Sequence, residues 1–242
     1  MDYLDCVSDI SFRFIKPHTP LSAGFARFIQ LLAYVGIPLE IINTKISYDG
    51  KSIKRNLRKV CKLPKMSTFA IGVIINRAVA QMAEYEVFVN IGVWHGFTFL
   101  SGMVNNQGKM CIGIDNFSEF GSPKKAFIEK FNKYKSPNHF FYEMDYITYF
   151  KNVHKRPIGV YVYDGNHNYE NQLKALQVAE PFFSERCIIL VDDINYPEVR
   201  EATLAFIHNS FYRYQILFDM TTACNYHPTF WNGIIVFQRA NR

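Results

Sequence analysis

Residues 86–103 read EVFVNIGVWHGFTFLSGM. The run Val87–Ile91 is short and apolar, and two glycines, Gly92 and Gly96, follow it before a stretch able to form a helix. Strand, glycine turn and helix in that order is the repeating unit of an open parallel sheet, where ligands bind beyond the carboxyl ends of the strands. Neither glycine has a Cβ to block a ligand, and the helix start offers free amides. The spacing is G-x-x-x-G, not the G-x-G-x-x-G that cradles a pyrophosphate, which argues against a nicotinamide dehydrogenase.

Outward from this unit the pattern repeats. Apolar runs at Met110–Ile114, His139–Met144, Ile158–Tyr163 and Cys187–Val191 are each followed by a potential helix. The clearest of these helices spans Tyr169–Glu180, with Leu173, Leu176, Val178 and Ala179 as buried candidates and Pro181 as its boundary. Short apolar strands alternating with helices predict a parallel sheet covered on both faces. Arg213–Phe218 and Ile234–Gln238 are two further strands with a 15-residue loop and no helix pattern between them, so they are expected to run antiparallel. The expected fold is α/β, doubly wound and Rossmann-like, with a mostly parallel seven-stranded sheet, an antiparallel C-terminal strand and an N-terminal helical layer.

That layer is expected to be a helical extension, residues 1–65, ahead of a domain at 66–242. It offers helical pieces at Leu21–Val35 and Lys51–Lys62, broken by Pro17, Pro20, Pro38 and Pro64, with no alternating strand run. Ser67 or Thr68 is a candidate cap for a helix carrying Ile71, Ile74, Ile75, Ala78, Val79 and Met82. The aromatic content of 16% is high and suggests a dense core and stacking surfaces near a ligand.

No stretch reaches the ~18 apolar residues needed to span a bilayer, and the acidic start MDYLDCVSD does not read as a secretory signal. The five cysteines are odd in number and form no C-x-x-C pair, which argues against a disulfide framework or thiolate metal site and for a reducing cytoplasm. The net charge of +6 is unevenly placed. Lys51, Lys54, Arg55, Arg58, Lys59, Lys62 and Lys65 fall within one segment without an acidic residue, with Ile53, Leu57, Val60 and Cys61 on the opposite helical side. Two readings stay open: the solvated face of a packed amphipathic helix, or a docking strip for an anionic acceptor or membrane surface. No recognisable RNA-binding module accompanies the strip, so nucleic acid is not the expected partner.

The loops after the strands carry the chemistry. GIDNF places Asp115 at a strand end about 20 residues beyond the glycine turn, where a carboxylate can accept both hydroxyls of a ribose. FYEMDY places Asp145 and its neighbours beside where an adenine would lie. VYVYDGNHNYE puts Asp164 and His167 on one loop, and IILVDDINYPEV puts Asp192 and Asp193 on the next. Three carboxylates in one cleft repel unless a cation neutralises them, and oxygen-only ligation points to Mg²⁺ first, then Ca²⁺ or Mn²⁺. Alternatively Asp192 and Asp193 cap the following helix. Both can bind a metal only if the backbone has turned at Asp192, because successive strand side chains point to opposite faces.

The stretches FVNIGVWHGFTFL, CIGIDNF, VYVYDGNHNYENQLKAL and IILVDDINYPEVREA, across roughly residues 86–208, resemble class I S-adenosylmethionine-dependent methyltransferases. The resemblance is to the metal-dependent sugar O-methyltransferases and cephalosporin hydroxylase-like proteins, and D-G-x-H-x-Y with D-D is its most discriminating part. It implies Asp164, Asp192 and Asp193 as Mg²⁺ ligands, with His167 as general base and Asp164 beside it in the catalytic set. It also implies a cofactor site, for S-adenosylmethionine, of Asn90, Gly92, Trp94, Gly96, Thr98, Asp115, Asn116 and Asp145. The implied function is O-methylation of a small-molecule acceptor, a sugar, glycan or other polyol, by a chain able to form a homo-oligomer. One departure stands out: the family usually has an acid where this chain has Asn90, which can accept a hydrogen bond but adds no charge. Asn90 therefore suggests an alternative, a relative that binds cofactor without turnover. A metal-dependent hydroxylase-like enzyme is a further alternative, against which stands the lack of a two-His facial arrangement.

Overall fold

The apolar runs form strands because each can be buried on both sides, and the computed structural model, which describes residues 7–34, 37–47 and 49–240, places them at the centre. In chain order the elements are β1 (Ile10–Phe12), α1 (Ala23–Tyr34), α2 (Leu39–Asn43), β2 (Thr44–Ile46), α3 (Gly50–Leu57), α4 (Phe69–Gln81), β3 (Val87–Ile91), α5 (Phe97–Met103) and β4 (Met110–Asp115). They continue as α6 (Lys124–Tyr134), β5 (His139–Glu143), α7 (Tyr146–Asn152), β6 (Ile158–Tyr163), α8 (Tyr169–Ala179), β7 (Phe183–Asp192), α9 (Pro197–Asn209), β8 (Tyr214–Met220) and β9 (Ile234–Arg239). The seven-stranded sheet has the order β5-β4-β3-β6-β7-β9-β8. All neighbours from β5 to β7 are parallel, and β9 runs antiparallel to both β7 and β8. Strand order reverses at β3, between β4 and β6, so the ligand-binding crevice of such a sheet opens there.

A period of two sorts the strand side chains onto two cores. Phe88, Val160, Val162, Ile188 and Leu190 face α4, α5 and the N-terminal layer, while Val89, Ile91, Tyr161, Tyr163, Ile189 and Val191 face α8 and α9. Asn90, Asp164 and Asp192 continue the first parity. Val162 pairs with Leu190 and Tyr163 with Val191, so Asp164 and Asp192 leave adjacent strands at one level.

The N-terminal layer packs into the first core through Val7, Ile41, Ile53, Leu57, Val60 and Cys61. Two expectations change here. The layer is not purely helical, since β1 and β2 form a small antiparallel ribbon whose three-residue strands are too short to leave an alternating signal. Thr68 stands at the start of α4 but does not cap it with its side chain; its hydroxyl donates to Thr229 O, and Glu40 Oε2 takes the Phe69 amide instead. Buried Arg77 on α4 holds Asp9 at 2.6 Å and Asp49 at 2.8 Å, tying the layer to the domain. Breaking such a buried pair by removing one partner costs about 3–5 kcal/mol. Val35, expected in the first helix, and Cys6 lie outside the described residues.

Candidate active site

At the end of β3 the chain must turn sharply under two neighbouring strands. Gly92 takes φ +76°, and a Cβ there would lie 2.0 Å from the Asp164 carbonyl oxygen, so only glycine fits. Gly96 takes φ +96°, and a Cβ would meet the Phe127 ring at 2.9 Å. Trp94 between them is also left-handed, with φ +45°, and its indole Nε1 donates to Phe120 O. The turn is pinned by Asp115: its Oδ2 accepts the amides of Val93 and Trp94, each at 2.8 Å, and its Oδ1 accepts that of Phe117 at 2.7 Å. The carboxylate expected to meet a ribose therefore also shapes the glycine turn.

A cavity of about 270 Å³ opens at this switch point. Its walls include Gly92, Trp94, Thr98, Asp115, Asn116, Asp145, Asp164 and His167, so eight of the expected site residues surround one space. Asp145 has two positions at once, since it lines the cavity and its Oδ1 accepts the Thr148 amide as the cap of α7. Asn90, Gly96, Asp192 and Asp193 are not on the wall. Asn90 is fully buried, its Nδ2 donates to Ile91 O and Gly92 O, and its Oδ1 has no partner. That leaves an unused acceptor immediately behind the turn.

The acidic loops meet beside the cavity. Asp193 takes φ +60°, so the backbone has turned after Asp192, the condition required for both carboxylates to point to one side. Neither aspartate caps α9, whose N-cap is Tyr196, which removes the helix-cap alternative. Burial and the charges of Asp193 and Asp115 push the Asp164 carboxyl well above the usual carboxylate range. Burial and repulsion from Asp164 and Asp193 do the same to Asp192, whose Oδ1 has no partner. Asp193 is engaged differently: His167 Nε2 lies 2.9 Å from its Oδ2, and Asn232 Nδ2 donates to its Oδ1 at 2.6 Å. Among the described residues no three His, Cys, Asp or Glu side chains are arranged to hold a metal ion. The carboxylates expected as a triad thus lie in mutual electrostatic range while one of them is committed to His167 and Asn232.

His167 is pulled two ways. Burial opposes its charged form, but the Asp193 hydrogen bond and the charges of Asp193, Asp192 and Glu119 prevail and raise its pKa above the ordinary histidine value. Its Nδ1 is buried without a partner.

Three residues on this surface carried no readable signal in the sequence. Lys65 belongs by spacing to the basic stripe, yet it turns inward to buried Glu40 at 3.0 Å and lines the cavity. Ser67, read as a helix cap, lines the cavity with its hydroxyl buried and unpartnered. Asn232, 39 residues beyond Asp193, is brought to it by the β7–β9 pairing and by the Asn195 amide, which donates to Asn232 O.

Residues 89–194 match a family described as a methyltransferase domain. No curated protein matches the chain. Among solved structures, cofactor-bound Rv0187 from MTB is 11% identical with a TM-score of 0.59, covering 93% of this chain and 100% of its own. The SAH-bound methyltransferase PaMTH1 of Podospora anserina is 12% identical with a TM-score of 0.58, covering 94% and 100%. An O-methyltransferase from Bacillus cereus in complex with SAH is 10% identical with a TM-score of 0.55, covering 88% and 97%. At these identities the likeness is one of fold. The domain match over residues 89–194, set in this seven-stranded architecture, makes that part of the chain similar to methyltransferase domains and gives the whole the fold of the SAH-bound methyltransferases.

Proposed function

We propose that this chain is an S-adenosylmethionine-dependent methyltransferase that methylates a hydroxyl oxygen of a small acceptor, a sugar or other polyol, with His167 as general base. The observation that carries the reading is His167, which stands on the wall of the cavity that the glycine turn also lines and is held from behind by Asp193. A neutral imidazole that donates Nε2–H to Asp193 keeps its lone pair on Nδ1, the atom without a partner. Nδ1 would accept the hydroxyl proton and Asp193 would steady the imidazolium that forms; S-adenosylmethionine, when bound, would supply the methyl group and be left as S-adenosylhomocysteine. Gly92, Trp94, Thr98, Asp115, Asn116 and Asp145 are proposed to hold the cofactor, with Asp115 positioned at the ribose and Asp145 near the adenine. Asn90 Oδ1 offers an acceptor towards the cofactor's ammonium group. Ser67 and Lys65 add a hydroxyl and an ammonium to the same wall.

The donor chemistry also fits a hard divalent cation. The ligand atoms are all carboxylate oxygens, the charged forms of Asp164 and Asp192 are disfavoured first by burial and then by neighbouring carboxylates, and Asp192 Oδ1 is orphaned. Asp164 and Asp192 would hold Mg²⁺, joined by Asp193 once it gives up its bond to Asn232 or His167, and the ion would supply Lewis acidity at the acceptor oxygen. A second reading, cofactor binding without turnover, is favoured by Asn90 alone, whose amide is spent on backbone carbonyls.

The test is transfer of labelled methyl from S-adenosylmethionine to a panel of sugars and polyols, with and without Mg²⁺. Product with a hydroxylated acceptor that His167→Ala does not form supports the proposal. Cofactor binding with no transfer to any acceptor supports the non-catalytic reading.

A further inference from the structure

Away from the cavity, α1 is apolar on both sides. Ala26 and Ile29 bury against the domain, while Phe25, Phe28 and Leu31 point away, Leu31 being 62% exposed. The Phe25 and Phe28 rings lie 6.5 Å apart. Neighbouring segments extend this surface. Ile42 is exposed on α2, which packs against α1, and Ile37 is exposed where the two helices join. Phe14, whose amide bonds Asn43 at the end of α2, is 74% exposed. Arg27 is an exposed cation among these side chains, and contiguous exposed apolar surface marks an interaction site.

Cations border it. The turn at Val60–Lys62 packs against α1, and Arg55, Arg58, Lys59 and Lys62 are exposed there and on the segment leading into it, with Lys51 at the start of α3. None of these five makes an ion pair among the described residues, because the acids of this layer are taken: Asp9 and Asp49 by Arg77, Glu40 by Lys65. Residues 1–65 hold 11 of the 27 Lys and Arg but only five of the 21 Asp and Glu, so the whole formal charge of +6 resides there.

We propose that this face docks on an anionic lipid bilayer, with Phe25, Phe28 and Leu31 entering the headgroup–acyl boundary and the flanking Lys and Arg meeting the headgroups. The attachment is peripheral: among the described residues no helix is long and apolar enough to cross a membrane. Two alternatives fit the surface less well. Apposing two copies through it would bring two strongly cationic layers together, and a nucleic acid would leave the aliphatic side chains of Leu31, Ile37 and Ile42 unserved.

Co-sedimentation of the full chain with vesicles tests this, comparing phosphatidylcholine alone with a mixture containing about one-third phosphatidylglycerol. Binding to the anionic vesicles is expected, falling at least about tenfold on neutral vesicles or in high salt. Phe28→Ser with Leu31→Ser, and separately Lys59→Glu with Lys62→Glu, should each weaken it about tenfold or more with an unchanged melting temperature, since all four side chains are exposed. Equal binding to both vesicle types, or to neither, overturns the proposal. So does a dimer that Phe28→Ser disperses, or an oligonucleotide complex, in a chain that ignores vesicles.

Discussion

His167 Nε2 lies 2.9 Å from Asp193 Oδ2, and the other oxygen of that carboxylate is held by Asn232 at 2.6 Å. The imidazole is fixed from one edge while the opposite nitrogen is unbonded. The folded pKa of His167 is raised, so the pair contributes stability that is full below the unfolded value and is lost as pH rises through the folded one. Neutral base forms over the same rise. Turnover is therefore expected to climb with pH on the alkaline side of ordinary histidine titration. NMR titration of the ring should show its pKa fall in Asp193→Asn, and an unmoved pKa would remove Asp193 as its partner.

His167→Ala is expected to lower turnover by roughly 10²–10⁴-fold, the usual loss for a general base. Affinity for S-adenosylhomocysteine, measured by calorimetry, should stay within about twofold, because the glycine turn and Asp115 are bonded independently of His167. An equal loss in both quantities would mean that the residue shapes the cavity and does not act on the proton.

Asp164 and Asp192 carry raised pKa values, so the fold binds their protons more tightly than the unfolded chain does. That contribution is present at low pH and is lost as pH rises from the unfolded values through the raised folded ones. In metal-free buffer near neutral pH, Asp192→Asn is expected to raise the melting temperature by about 2–4 °C for each ~1 kcal/mol of repulsion relieved. Added Mg²⁺ should raise the melting temperature of the wild type and not of the variant. If the proposed ion is required, chelator abolishes methyl transfer and leaves cofactor affinity intact; full turnover in excess chelator would withdraw it.

Gly92→Ala is expected to abolish measurable cofactor binding. The added Cβ would meet the Asp164 carbonyl oxygen at 2.0 Å in a left-handed backbone that alanine resists. Gly96→Ala should be milder, because its obstacle is the edge of the Phe127 ring at 2.9 Å. Calorimetry on both variants orders them, and equal affinity would show that the turn tolerates displacement.

Asp115→Ala removes the acceptor of three backbone amides as well as a ribose partner. We expect cofactor affinity to fall by at least about tenfold, with Asp115→Asn intermediate because it can still accept some of those bonds. An unchanged Kd in Asp115→Ala would place the cofactor elsewhere.

The sheet was legible because each central strand is a short apolar run closed by turn residues, and the expected Val87–Ile91 and Ile158–Tyr163 coincide with β3 and β6. The cavity wall was legible where a polar residue sits at or directly after a strand end, as at Asp115 and Asp164. Lys65 was misplaced because spacing describes a helix face, whereas the chain leaves α3 at Leu57 and folds this lysine inward to Glu40. Asn232 was invisible because its tie to Asp193 depends on strand pairing between distant segments. The β1–β2 ribbon was missed because three residues per strand give no period to read.

The approach of Gly92 to the Asp164 carbonyl has a consequence for how such a chain can diverge. The strand ends meet there without room for one extra carbon, and a backbone bond from the Asp164 amide to Ile91 O closes the same seam. The turn that would receive the methyl donor and the loop that would face the acceptor are thus one mechanical part. Altered acceptor preference would then come from the wall outside that seam, where Lys65, Met66 and Ser67 stand. The seam would then be closed to change, and the freedom to evolve would lie in the wall that it does not include.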